Sequence, residues 1–261
     1  MKRNKRHGEI MEMLAREGEV SVQALARHFG VSVMTIRRDL SHLSRSGRIS
    51  RTHGGALPSR AGVIEFAYHE KRDRNAAAKQ AIARRIADMV EPGTAVSLDT
   101  GTTTLEVARA LAGMEGITVL TSSLSIAAVL YPSEGIELVL LGGTVRKHSP
   151  DLTGELTEDN LTRFRVHLAV LGADAVKPDG IFTTDISIAR VSRAMIVSAD
   201  HVVLAVDSSK FTQTAFVKCT DLDRVDCVVT DEGCTDDVRS WLEKAARDVT
   251  YVPAEPHADT R

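Results

Sequence analysis

Over the first ninety residues apolar positions recur with a helical period, whereas from residue 93 onward short β-branched runs alternate with helical patterns. Ile10, Met13 and Leu14 share one face by their i, i+3, i+4 spacing, which predicts a first helix over residues 4–17. Two short helices come next, each with its own start signal, because Ser21 is placed to N-cap the first and Ser32 the second. Between them Phe29-Gly30-Val31 supplies two apolar plugs around a residue free to adopt positive φ, as a helix-turn-helix corner requires. In the second helix Ile36, Leu40 and Leu43 fall at i, i+4 and i+7 and form the buried stripe. The opposite face carries Thr35, Arg38 and His42, with Arg37 on its flank.

The segment from Arg48 to Gly55 alternates in character and ends in two glycines, which predicts the hairpin of a winged helix-turn-helix with Arg48, Arg51 and His53 on one side. After a stretch broken by Pro58, Ser59 and Gly62, residues 69–90 are rich in helix formers and place Ile82, Ile86 and Met89 on one face. That pattern predicts one long helix, Glu70 to Val90, joining the small head to the larger remainder of the chain. Candidate strands beyond it are Ala95–Leu98, Thr118–Thr121, Glu137–Leu141, His167–Leu171, His201–Val206 and Cys227–Thr230. Strands alternating with helices indicate an α/β domain with a mostly parallel sheet. The expected organisation is residues 1–57 as the winged head, 58–69 as linker, 70–252 as the α/β domain and 253–261 as a tail.

Charge changes the picture of the head. Residues 1–60 hold twelve Lys and Arg against five Asp and Glu, a balance of +7, and residues 61–261 hold twenty-one against thirty, a balance of −9. A basic head on an acidic body is the electrostatic footprint of DNA binding. The candidate DNA-binding residues are Ser21, Ser32, Thr35, Arg37, Arg38, His42, Arg48, Arg51 and His53. An arginine suits both a paired hydrogen bond to guanine and a phosphate contact, and the sequence leaves open which of Arg37 and Arg38 makes which. Lys2, Arg3, Lys5 and Arg6 are expected to add phosphate-seeking charge.

Ligands of such sheets bind beyond the C-terminal strand ends. Asp99-Thr100-Gly101-Thr102-Thr103-Thr104 follows a strand and opens a helix, so backbone N–H groups, hydroxyls and one glycine form a cradle suited to phosphate. Thr121-Ser122-Ser123 holds the equivalent position after the next strand, and Gly142-Gly143-Thr144 brings Arg146 and Lys147 close behind. Gly172-Ala173-Asp174 and Asp207-Ser208-Ser209-Lys210 complete five polar loops at one sheet edge, with Lys210 suited to meet a phosphate or carboxylate as a point charge. Any one of these loops could be a simple turn, and their shared location is what points to a ligand.

The run VSVMTIRRDLSHLSRSGRISRTHGGA resembles the signature of the DeoR family of bacterial transcription regulators: a Ser-x-x-Thr-Ile-Arg-Arg-Asp-Leu recognition helix, then a glycine, a basic wing and His-Gly-Gly-Ala. Those positions are Ser32, Thr35, Ile36, Arg37, Arg38, Asp39, Leu40, Gly47, Arg51, His53, Gly54, Gly55 and Ala56. Further on, GTTT, TSS, LGG, GAD, GIFTTD and DSSKF are similar, in order, to the DeoR-type C-terminal sensor domain, which is related in fold to ribose-5-phosphate isomerase. The resemblance spans residues 6–252 and implies a phosphorylated sugar effector held by Gly101 to Thr104, Gly142-Gly143, Asp174 and Lys210. The full set of candidate effector-binding residues is Asp99, Gly101, Thr102, Thr103, Thr104, Thr121, Ser122, Ser123, Gly142, Gly143, Arg146, Asp174 and Lys210.

The expected function is therefore a DNA-binding regulator, in the family's commoner mode a repressor of a carbohydrate catabolic operon, released from double-stranded operator DNA by the effector. A homodimer or higher homo-oligomer is expected, since paired recognition helices double the contact with repeated half-sites. The rival reading is a sugar-phosphate isomerase-like enzyme with an appended DNA-binding head, but no carboxylate base is evident in the loops after Gly142. No cofactor and no metal are expected: Cys219, Cys227 and Cys234 fit neither a zinc pattern nor a disulfide framework. No apolar run approaches ~18 residues and the N-terminus has no apolar signal region, so no membrane association and a cytoplasmic location are expected.

Overall fold

The computed structural model describes residues 3–45, 49–52, 54–58, 71, 74–146 and 149–254. The chain divides into two compact units, Met1–Asp73 and Arg74–Arg261.

The first unit contains α1 (Arg3–Glu17), β1 (Val20–Ser21), α2 (Val22–Phe29), α3 (Val33–Arg45), β2 (Ile49–Arg51) and β3 (Gly55–Pro58). Both expected N-caps form: Ser21 Oγ accepts from Ala24 N at 3.1 Å and Ser32 Oγ from Thr35 N at 3.1 Å. Gly30 ends α2 in the left-handed region at φ 62°, ψ 33°, the conformation that Gly adopts without a Cβ clash. Ile36, Leu40 and Leu43 are buried, as their spacing requires, and meet Ile10, Leu14 and Leu25 in one small core.

The wing differs from expectation in one respect. The two glycines do not end the hairpin; Gly55 begins its second strand, with Ile49 opposite Pro58 and Arg51 opposite Ala56. β3 also pairs with β1, a two-residue strand without sequence signal, through Val20 opposite Ala56 and Ser21 opposite Gly55. A Cβ on Gly55 would lie 2.2 Å from the Val20 carbonyl oxygen, so this three-stranded sheet closes only with glycine there.

The second unit begins with α4 (Ala76–Ala87). The long joining helix expected over Glu70 to Val90 is therefore shorter, because Asn75 at its N-cap is left-handed at φ 55° and Met89 lies in the turn beyond it. Its apolar face, including Ile82 and Ile86, is buried in the sensor body and not kept for a connecting rod. Seven strands lie in one sheet: β4 (Ala95–Leu98), β5 (Ile117–Thr121), β6 (Ile136–Leu140), β9 (Val166–Leu171), β12 (Ala199–Ala205), β14 (Cys227–Asp231) and β15 (Val249–Val252). Their order is β15-β14-β12-β9-β4-β5-β6 and every pairing is parallel. The six expected strands are all present, and β15 is the one without a clear signal in the sequence. The strands are linked by helices, among them α5 (Thr102–Leu111), α6 (Leu124–Leu130), α7 (Glu155–Leu161), α8 (Ile186–Ser198) and α9 (Asp236–Ala245). Two small antiparallel additions, β7 (Thr144–Val145) with β8 (Leu152–Thr153), and β10 (Ala175–Lys177) with β11 (Gly180–Thr183) and β13 (Val217–Thr220), are built from the connections.

This order places a topological switch between β4 and β9. From β4 the chain winds to β5 and β6 on one side, and from β9 it winds to β12, β14 and β15 on the other. Connections leaving two neighbouring strands in opposite directions open a crevice at their C-terminal ends. Among the described residues no helix is long and apolar enough to cross a membrane.

Candidate DNA-reading and effector sites

In the head, Arg37, Arg38 and His42 stand exposed on α3, opposite its buried stripe. Thr35 Oγ1 lies 2.9 Å from Ser32 Oγ, so these two residues at the N-terminus of α3 share a hydroxyl pair. Ser21 is spent on the cap of α2. Arg51 leans from the wing onto α3, with Nη1 donating to Ser41 Oγ at 3.0 Å, while Ser41 Oγ donates to the Arg37 carbonyl. Arg48 and His53 lie outside the described residues, as do Gly47 and Lys2.

Two features of the head were not anticipated. Met34, 57% exposed, and the adjacent Val33 present apolar surface in the first turn of α3. Sequence periodicity treated them merely as non-core positions. Arg6 is a correction: it is buried instead of reaching for phosphate, with Nε 2.7 Å and Nη2 3.2 Å from the two carboxylate oxygens of Asp39. His7 Nε2 lies 2.9 Å from Asp39 Oδ1 and completes the clamp. Burial alone would raise the Asp39 carboxyl, but hydrogen bonds from Arg6 and His7 outweigh it and leave the group below the usual carboxylate range.

In the second unit, Asp99 directly follows β4 and is 2% exposed. Its Oδ1 accepts from Thr100 N at 2.7 Å, and its Oδ2 accepts from Gly172 N at 3.3 Å and Ser192 Oγ at 3.4 Å. The loops after β4 and β9 are thus joined through one carboxyl at the switch point. Burial pushes this carboxyl up to about 7, against the Thr100 and Gly172 N–H groups and with a further push from the negative charge of Asp151.

Asp151 belongs to a second group around the loop after β5. It bridges Ser123, while Leu152 N donates to the Ser122 carbonyl at 2.8 Å. Arg146 does not stand as a lone cation here: Nη1 is 3.3 Å from Asp151 and Nη2 is 3.0 Å from Asp185, the N-cap of α8. Burial lifts Asp185 less than the Arg146 charge and the Ser187 and Ile188 N–H groups lower it, so it falls below its ordinary value. Asp151 moves the other way, raised by burial despite Ser149 and Arg146. Lys147 lies outside the described residues.

The remaining candidates sort by what already holds them. Thr121 Oγ1 donates to the Leu98 carbonyl, Ser123 Oγ caps α6 through Ile126 N, and Thr104 Oγ1 donates to the Gly101 carbonyl. Gly101 is the N-cap of α5, with Thr102 and Thr103 in its first turn. Gly142, with Gly143 after it, is fixed by Thr157 Oγ1, which donates to its carbonyl at 2.8 Å. Asp174 Oδ2 accepts from Thr183 Oγ1, Thr184 N and Thr184 Oγ1 at 3.0–3.1 Å, which explains why GAD and TTD occur together. Lys210 rides on a short 3-10 helix, Ser208–Phe211, anchored by Asp207 and Asp231. Ser122 differs from all of these: it is 1% exposed, and its hydroxyl, like that of Ser97 within β4, has no hydrogen-bond partner among the described residues. Sequence reasoning missed Asp151, Asp185, Ser192 and Asn75, none of which lies directly after a central strand.

The two units coincide with two family models. Residues 6–59 match the DeoR-like helix-turn-helix domain and residues 74–232 the DeoR C terminal sensor domain. The chain belongs to the DeoR family. It is 36% identical over 233 residues to the glycerol-3-phosphate regulon repressor of Escherichia coli, covering 88% of this chain and 92% of that one. It is also 36% identical over 248 residues to the HTH-type transcriptional regulator GlpR of Haloferax volcanii, covering 95% and 96%. Among solved structures, ribose 5-phosphate isomerase A of Methanocaldococcus jannaschii aligns with 52% of this chain and 55% of its own, at TM-score 0.39 and 21% identity. The DeoR relatives are transcriptional regulators over nearly their whole length, and this DeoR protein is a DNA-binding transcriptional regulator, not an enzyme.

Proposed function

We propose that this protein represses a carbohydrate catabolic operon and is released from its operator by a phosphorylated sugar. The single observation that carries the effector half is the junction at the β4–β9 switch, where Asp99 ties two loops together beside the N-terminus of α5. Free backbone N–H groups and the dipole at a helix start favour phosphate. The phosphoryl group is assigned to Gly101 through Thr104 with Lys210 as counter-charge, and the sugar hydroxyls to Asp99, Asp174 and Ser122.

In the DNA half, α3 enters the major groove with Ser32 and Thr35 at its leading end and Arg37 and Arg38 on its exposed side. Two heads in a homodimer supply the affinity that one head lacks. Effector binding needs to differ between the two states by only ~1–3 kcal/mol to change operator affinity ~5- to 150-fold. The test is a titration of the operator complex, at fixed salt, with a panel of sugar phosphates including glycerol 3-phosphate. One of them is expected to lower operator affinity at least fivefold, about the low end of such couplings. If none alters affinity or the thermal midpoint of the protein, the effector reading fails.

A further inference from the structure

We propose that Asn75 is a positioning residue that couples the loop carrying Lys210 to the chain segment leading to the DNA-reading head, an inference that rests on the effector reading above. Among the described residues Asn75 is the non-glycine residue with positive φ, and it stands at the N-cap of α4 without capping it. Its side-chain amide instead donates to Asp207 Oδ1 at 2.7 Å, 132 residues away in sequence. Asparagine tolerates the left-handed region, and it also carries the amide donor that this contact uses.

The same Asp207 oxygen accepts from Ser209 N and from Ser209 Oγ, and the Asp207 carbonyl accepts from Lys210 N at 2.9 Å. One buried carboxylate therefore fixes both the short helix bearing Lys210 and the entry to α4. On the other side of Asn75, the buried Lys79 donates Nζ to the Arg74 carbonyl at 2.5 Å, and Lys79 N donates to the Asn75 carbonyl at 3.1 Å. Arg74 is the first residue of the sensor unit. The chain is thus pinned where it enters the sensor, and one of the pins ends on the loop assigned to the anion. An anion that reorients Ser208 to Lys210 changes the demand on Asp207, and Asn75 passes that change to the backbone at 74–75.

The test is hydrogen exchange on the full-length protein, with and without saturating inorganic phosphate, comparing wild type with Asn75→Gly. Glycine keeps the left-handed backbone available and removes only the amide. In wild type, phosphate is expected to slow exchange about fivefold or more at residues 208–211 and at 76–80, in keeping with an allosteric coupling. In Asn75→Gly the effect at 208–211 persists and the effect at 76–80 is lost. A merely structural Asn75 would shift basal rates and leave the phosphate-induced difference at 76–80 intact, which overturns the proposal. If phosphate alters neither segment in wild type, the assignment of the anion to the Lys210 loop fails and the coupling fails with it. Asn75→Gly also removes one of the donors to Asp207 Oδ1, so unchanged phosphate-free rates at 208–211 would overturn the coupling as well.

Discussion

The carboxylate of Asp39 is gripped by the guanidinium of Arg6, 33 residues earlier, at 2.7 and 3.2 Å. Asp39 follows two exposed arginines on α3, yet it is 4% exposed itself, so α3 presents its cations to solvent and keeps its carboxylate inside. Removing one partner of such a pair leaves the other charge buried and unpaired. Asp39→Ala is expected to cost the head ~3–5 kcal/mol, read as a lower denaturation midpoint of the head while the sensor transition stays in place. Because the folded Asp39 carboxyl lies below its ordinary 3.8, its contribution is present above that value and is lost as pH falls through the folded-state value. Acid unfolding of the wild-type head should therefore be steeper than that of Asp39→Asn.

Arg38 is exposed and has no part in the small core. Arg38→Ala should weaken operator binding by ~1–3 kcal/mol with an unchanged melting temperature. The salt dependence then tells which contact was lost. A phosphate contact lowers the slope of log affinity against log salt by ~0.9, whereas a base contact leaves the slope alone and relaxes specificity at one position. A fall in melting temperature comparable with that of Asp39→Ala would contradict the exposed placement.

Lys210 sits on the anchored turn after β12, within the second unit. Lys210→Ala should bind operator as wild type does and fail to release it on addition of the active sugar phosphate. A normal response in an operator titration would remove Lys210 from the site.

Asp99 titrates at about 7 in the fold against an ordinary 3.8, a shift upward caused first by burial. Its neutral form favours the folded state, so this contribution is full below pH ~4 and is lost as pH rises through ~7. The loss is on the order of a few kcal/mol. Asp99→Asn should flatten the dependence of stability on pH across that window. Parallel curves of denaturant midpoint against pH for the two proteins would show that Asp99 is not the titrating group.

Much of the fold was legible in local order. Ile36, Leu40 and Leu43 announced the buried side of α3 by spacing, Ser21 and Ser32 announced the starts of α2 and α3, and six strands showed themselves as apolar runs. What escaped notice depended on partners distant in sequence. Arg6 looks like any basic tail residue until Asp39 is placed beside it, and Arg146 looks like a ligand cation until Asp151 and Asp185 are. The long helix expected over residues 70–90 failed at Asn75, whose backbone is left-handed and whose side-chain amide is held by the distant Asp207.

The sequence by itself determined the family, the two-part organisation of head and sensor, and the side of α3 that faces outward, because periodicity, capping and charge are properties of short stretches of chain. Only the tertiary structure decided which charges are available. Whether a carboxylate or guanidinium is spent within the fold or offered to a ligand depends on what the folded chain brings within hydrogen-bonding reach of it, and pairings such as Asp39 with Arg6, Asp99 with Gly172 and Asn75 with Asp207 join residues 33, 73 and 132 positions apart.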